Sequence, residues 1–108
     1  MSLGPRMQKH LLNQQRLRRV PSQFSWVDHR LIRQNHLPRA SAAAWGLYLV
    51  LVTVGDQHGL SYYSDPTLER LLSLSGEALG AARAQLLAAG LIAFEAPLYQ
   101  VLGLEVAS

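Results

Sequence analysis

The feature that most constrains this chain is the apolar run Ala42 to Val54, thirteen positions broken by Thr53. Ser41 stands before it as a helix cap and Gly55-Asp56-Gln57-His58-Gly59 follows as a turn. Wound as a helix, the run points Trp45, Leu47, Leu49, Val50, Leu51 and Val52 in nearly every direction, and a helix that is apolar all round belongs at the centre of a fold. It is shorter than the ~18–20 residues of a membrane span. A buried core helix is therefore expected, with no membrane partner.

The 108 residues are 49% hydrophobic and 16% charged, which suits one compact domain and leaves no room for separate cofactor and substrate domains. The absence of cysteine excludes disulfide scaffolds, zinc ribbons and thiol nucleophiles. Nothing argues for secretion, so a cytoplasmic location is the expectation. The Arg-rich, acid-poor first forty residues resemble a mitochondrial transit peptide only faintly. Met1, Ser2 and Leu3 read as an added start, with Met7 nearer the native one.

The formal net charge of +3 is unevenly spread. Residues 1–40 set Arg6, Lys9, Arg16, Arg18, Arg19, Arg30, Arg33 and Arg39 against Asp28 alone, a balance of +7. Residues 41–108 set Arg70 and Arg83 against Asp56, Asp65, Glu69, Glu77, Glu95 and Glu105, a balance of −4. A basic extension on an acidic body is the pattern of a polyanion-binding arm, and nucleic acid is the commonest polyanion; the alternative is a solvated tail.

Residues 1–23 carry Gln8, Asn13, Gln14 and Gln15 among the basic residues and show no sustained stripe, so they read as a flexible arm, helical at most around Lys9 to Leu17. Ser25 and Asp28 have capping-box spacing and Phe24, Val27 and Leu31 have helical spacing, which predicts an extra helix over about 25–35, Trp26 to Asn35, stopped by Pro38. Arg30 and Arg33 then share its opposite face, and Trp26 is expected to pack this helix onto the body.

After the central helix, Leu60 to Tyr63 is a short strand, and Ser64-Asp65-Pro66 opens a helix to about Leu72 with Leu68, Leu71 and Leu72 on one side. The turn Ser73-Leu74-Ser75 leads to a helix over Gly76 to Ala89, with Leu79, Ala82 and Leu86 inward and Gly90 as its left-handed terminator. Two strands close the chain, Leu91 to Glu95 and Leu98 to Leu104, joined at Ala96-Pro97.

Helix, short strand, helix, turn, helix, hairpin is the order of a winged helix-turn-helix, whose third helix usually enters the DNA major groove. The run Asp56-Gln57-His58-Gly59-Leu60-Ser61-Tyr62-Tyr63-Ser64, then Thr67-Leu68, Leu74-Ser75, and Leu86-Leu87-Ala88-Ala89-Gly90-Leu91-Ile92 carries a resemblance. Residues 41–104 resemble the helix-turn-helix domains of plasmid and phage replication initiators and of DnaD-like replication proteins. The resemblance implies a mainly α protein with a small β-hairpin wing (α+β), a winged-helix domain over residues 24–106 with its core at about 41–104. It also implies double-stranded DNA as partner, in replication or transcription control of a plasmid or other mobile element.

The chain departs from that family where DNA is read. Family members carry Arg, Lys, Thr or Ser on the first turns of the recognition helix, because these reach phosphates and base edges. Here the positions are Gly76, Glu77, Ala78, Gly80 and Ala81, and only Arg83 and Gln85 are long donors. Two readings follow. In one, Arg16, Arg18, Arg19, Arg30, Arg33 and Arg39 contact phosphates, and the recognition helix (Glu77, Ala78, Ala81, Arg83, Gln85) adds little sequence discrimination. In the other, Ala78, Ala81, Leu87 and Ala88 face a protein partner or a second copy.

Other chemistry is thinly represented. His10, His29, His36 and His58 lack metal-ligand spacing, and Ser73-Leu74-Ser75-Gly76 lacks the glycine of a nucleophile elbow. No acid, base and nucleophile constellation stands out, so no enzymatic activity and no cofactor are expected. Trp45, in an all-apolar helix, and one of Tyr62 and Tyr63, by strand alternation, read as core, and these aromatics with Tyr48 are not expected to stack bases, since stacking platforms interleave aromatics with basic residues.

Overall fold

The computed structural model describes residues 8–104. Residues 1–7 of the arm, Arg6 and Met7 among them, and residues 105–106 of the expected domain lie outside the described residues. The described elements are α1 (Arg30–Arg33), α2 (Ala42–Val54), β1 (Leu60–Tyr62), α3 (Asp65–Leu72), α4 (Gly76–Ala88), β2 (Ile92–Glu95) and β3 (Leu98–Val101). One-turn 3₁₀ segments occur at Gln14–Arg16 and Leu37–Arg39. The fold is mixed α+β, helices against a three-stranded antiparallel sheet.

Each principal helix begins on the serine that the sequence offers. Ser41 Oγ accepts from Ala44 N at 3.2 Å, Ser64 Oγ from Thr67 N at 3.4 Å and Ser75 Oγ from Ala78 N at 3.1 Å, each satisfying a backbone donor that has no partner inside the helix. Pro66 sits in the first turn of α3, where its missing N–H costs nothing. Ser73, left-handed at φ 54°, ends α3, and Gly90, at φ 72°, turns the chain out of α4 into the sheet.

The turn after α2 is built by Asp56, whose Oδ1 accepts from His58 N at 2.8 Å and Leu60 N at 3.0 Å. These bonds, that from Leu60 foremost, hold the carboxyl below its ordinary range. Gly59 completes the turn at φ 79°, and a Cβ there would lie 2.6 Å from Val101 O, so only glycine lets β1 approach β3 this closely.

The sheet order is β1-β3-β2, so the first strand pairs with the last, Ser61 opposite Tyr99, and the hairpin pairs Phe94 with Tyr99. Both hairpin strands are shorter than expected: β2 spans Ile92–Glu95 and β3 ends at Val101, whose N–H donates to Gly59 O, while Leu102 N donates to Leu91 O and carries the β2–β3 register one pair further. The core joins Leu47, Tyr48 and Leu51 of α2, Leu68 of α3, Leu79, Ala82 and Leu86 of α4, then Leu91, Ile92 and Tyr99. The buried Ser61 Oγ has no hydrogen-bond partner among the described residues.

Three expectations are corrected. The helix over 25–35 shrinks to the single turn of α1. Asp28 does not close a capping box with Ser25; its Oδ1 accepts from Arg30 N two residues on, and Ser25 Oγ donates instead to Thr53 O at 3.3 Å. Of Phe24, Val27 and Leu31 only Leu31 is buried, so the segment has no apolar face to hold a longer helix, and Trp26 stands out in solvent instead of packing on the body. Secondly, α2 is not enclosed all round: Leu49 is 61% exposed, because α3, α4 and β3 cover only the other side. Thirdly, Leu71 is exposed while Leu68 is buried and Leu72 half-buried: the three have the spacing of one stripe, but α4 and α2 cover only its Leu68 and Leu72 side.

Candidate nucleic-acid interface

Residues 8–27 are exposed at every position. The radius of gyration, 16.8 Å, exceeds the ~13 Å of a compact domain this long, as an arm projecting from the body requires. Asn13 Oδ1 accepts from Gln15 N and Arg16 N, both at 3.1 Å, and fixes the 3₁₀ turn Gln14–Arg16; among the described residues the helix expected around Lys9 to Leu17 is reduced to it.

The six arginines of the expected phosphate surface divide into three kinds. Arg16, Arg18, Arg19 and Arg33 are exposed and make no side-chain hydrogen bond or ion pair among the described residues. Arg39 Nη1 lies 3.2 Å from His36 Nδ1. Arg30 is held by Asp28, with Nη2 2.7 Å from Oδ2 and Nε 3.1 and 3.2 Å from the two oxygens. The Arg30 guanidinium brings the Asp28 carboxyl down to about 2. Arg30 therefore enters the surface as half of a neutral pair rather than as a phosphate donor.

On α4 the two long donors are turned inward. Arg83 Nη1 donates to Asp65 Oδ1 at 2.9 Å and to Tyr99 Oη at 2.8 Å, Nη2 donates to Asp65 Oδ2 at 3.3 Å, and the guanidinium lies 4.5 Å above the Phe94 ring. The Asp65 carboxylate holds the guanidinium pKa above its usual value, while burial pushes the Tyr99 phenol up against the opposing pull of Arg83. Gln85 Oε1 accepts from Ser41 N at 2.6 Å and ties α4 to the start of α2. Both were expected as candidate DNA contacts; Arg83 commits its guanidinium donors and Gln85 its carbonyl oxygen to neighbouring elements within reach. Glu77 and Ala81 remain exposed on α4, with Ala84, Leu87 and Ala88 further along, and Ala78 is half-buried.

Trp45 Nε1 donates to Leu37 O at 2.9 Å, and Trp45 meets Tyr48 edge to face at 5.2 Å, so both are structural. Sequence reasoning missed a different aromatic pair. Phe24 is 67% and Trp26 75% exposed, and both line a cavity of about 520 Å³ between the end of the arm and the end of α2. The signal was present, since Phe24 and Trp26 lie on one segment between Arg16, Arg18 and Arg19 on one side and Arg30 and Arg33 on the other.

Among the described residues no helix is long and apolar enough to cross a membrane, and no group of three or more His, Asp or Glu side chains is placed to hold a metal ion. Protein-family models, curated proteins and solved structures return no match to this chain.

Proposed function

We propose that the chain is a DNA-binding winged-helix protein, an accessory in replication or transcription control of a plasmid or other mobile element, anchored by phosphate contacts from its basic arm. The observation that carries the reading is the set Arg16, Arg18, Arg19 and Arg33, exposed and without side-chain partners among the described residues, beside an acidic body. Unpaired guanidinium groups on an exposed arm release counterions when they meet phosphates, which supplies affinity without naming a sequence. The winged-helix part rests on the element order α2-β1-α3-α4-β2-β3 with β3 in the middle of the sheet. With Arg83 and Gln85 committed internally, α4 offers Glu77 and small apolar side chains to a groove, so discrimination between sequences is weak.

The test is fluorescence anisotropy of a labelled duplex across a salt series, with the whole chain and with Arg16, Arg18, Arg19 and Arg33 all replaced by Gln. Four lost phosphate contacts flatten the slope of log affinity against log salt by about 3–4. An unchanged slope removes the arm from the interface.

One observation favours a second reading. Withdrawal of the α4 donors leaves Ala81, Ala84, Leu87 and Ala88 as an exposed, nearly chargeless face, which suits a second copy or a protein partner better than phosphate. Sedimentation equilibrium decides it: a dimer that Leu87→Glu dissociates supports a dimerisation module, and a monomer at high concentration removes the homodimer form.

A further inference from the structure

Exposed aromatic side chains are uncommon, and two of them sit where the arm meets the body. Phe24 and Trp26 are separated by Ser25, whose hydroxyl is bonded to Thr53 O, so the segment is tethered to the end of α2 while both rings stay largely in solvent. The expected helix over about 25–35 would have packed Trp26 onto the body; its reduction to one turn leaves that ring displayed beside Phe24. The cavity they line, about 520 Å³, falls in the ~300–1,000 Å³ range of small-ligand sites. Its floor is apolar, from Leu51 and Val52, and Gln57 and His58 bring hydrogen-bonding groups to the rim.

The charges along the segment and those lining the cavity differ in kind. Arg16, Arg18 and Arg19 precede the aromatic pair and Arg33 follows it, so a polyanion tracking the segment passes the rings with cations on both sides. Inside the cavity the charged groups are Asp56 and the Asp28–Arg30 pair, in which Asp28 neutralises Arg30. A phosphate gains nothing by entering beside Asp56, whereas an uncharged planar ring with amino or imino donors gains apolar lining, aromatic faces and the Asp56 carboxylate as acceptor. Outer cations for the backbone and inner aromatics for the base are the division of labour by which proteins hold unpaired strands.

We infer that the segment from Arg16 to Arg33 is a binding platform for single-stranded nucleic acid, with an unpaired base stacked on Trp26 or Phe24 over the cavity and the neighbouring phosphates held by Arg16, Arg18, Arg19 and Arg33. This inference rests on the phosphate-binding reading of the arm and adds to it the strand that the arm prefers. A duplex satisfies the arginines alone, because its bases are already stacked on one another. An unpaired strand satisfies both the arginines and the aromatic pair.

The experiment uses the full chain and three labelled 12-residue probes: an oligodeoxythymidylate, an abasic strand with the same number of phosphates, and a duplex. The thymidylate is expected to bind at least about 5-fold tighter than the abasic strand, since one stacked base contributes about 5- to 150-fold. Binding quenches tryptophan emission, and Trp26→Ala removes the quench. The double variant Phe24→Ala and Trp26→Ala, checked by circular dichroism, binds thymidylate and abasic strand alike with an unchanged salt slope. Replacing the four arginines flattens the slope for all three probes.

Equal affinity for the thymidylate and the abasic strand overturns the stacking platform and leaves phosphate binding standing. Failure of every probe to bind overturns both readings. A free protein that sediments as a dimer with Trp26 shielded from iodide quenching also overturns the inference, because a second copy then covers the aromatic pair.

Discussion

Replacing Arg83 by alanine separates a structural arginine from a DNA-reading one. Its side chain joins α4 to Asp65 at the start of α3 and to the wholly buried Tyr99 of β3, with Phe94 beneath. The Asp65 carboxylate is about half exposed, which limits that ion pair to about 0.5–1 kcal/mol. The bond from a charged donor to the Tyr99 hydroxyl contributes about 1.5–3 kcal/mol, largely because its loss strands a buried hydroxyl. The Phe94 face adds about 0.5–1 kcal/mol. These contributions share one side chain and do not sum, so Arg83→Ala is expected to cost about 2–3 kcal/mol. With a urea slope of about 1–1.5 kcal/mol per molar, the midpoint falls by about 2 M.

Tyr99→Phe alone is expected to cost about 1–1.5 kcal/mol. A double-mutant cycle between the two positions returns a coupling of about 1–1.5 kcal/mol, because each single change already breaks the same bond. Where Arg83→Ala still folds, its affinity for nucleic acid at fixed salt stays within about twofold of the parent, since a guanidinium engaged by Asp65 and Tyr99 contributes little to phosphate binding. A loss of stability under 0.5 kcal/mol together with an affinity drop of about tenfold or more refutes this reasoning and returns Arg83 to the interface.

Further outcomes follow from burial, backbone and charge. Leu51→Ala, at a fully buried site, is expected to lose about 2–5 kcal/mol by urea denaturation, and Leu49→Ala, on the open side of the same helix, less than about 0.5 kcal/mol. Gly59→Ala must hold φ near 79° and move Val101 O away from a 2.6 Å approach, so it costs at least about 2 kcal/mol and speeds amide exchange at Val101. The Asp28 carboxyl titrates at about 2 in the folded chain against 3.8 in the free residue, so its pairing with Arg30 is intact above pH ~4 and lost as the pH falls towards ~2. A carboxyl-carbon titration by nuclear magnetic resonance with a midpoint near 4 contradicts the pairing, and Asp28→Asn should remove this part of the acid sensitivity.

Local rules in the chain were enough to fix the principal helices and the turns. Serine at positions 41, 64 and 75, the left-handed exit at Gly90 and the stripe Leu79, Ala82 and Leu86 are short-range signals. Each is satisfied within a few residues by a cap, a backbone angle or a period of 3.6. The charge division between arm and body was equally legible, because it needs only counting.

Whatever depended on a partner far along the chain was decided by the tertiary structure. The pairing of β1 with β3 spans about forty residues and shows no local mark beyond the glycine that permits it. The extra helix failed because a capping pattern and a helical spacing cannot hold a segment that finds no surface to bury against, and that surface is a property of the packed body. The roles of Arg83 and Gln85 reversed for a related reason. A long polar side chain reads as free in the sequence, yet once α4 lies against α2, α3 and the sheet, the Arg83 guanidinium donates to Asp65 and Tyr99, and the Gln85 carbonyl oxygen accepts from the Ser41 amide. Phe24 and Trp26 ended in solvent beside a cavity by the same logic: the composition of a segment sets what it can bind, and only the packing around it settles which of its side chains remain available.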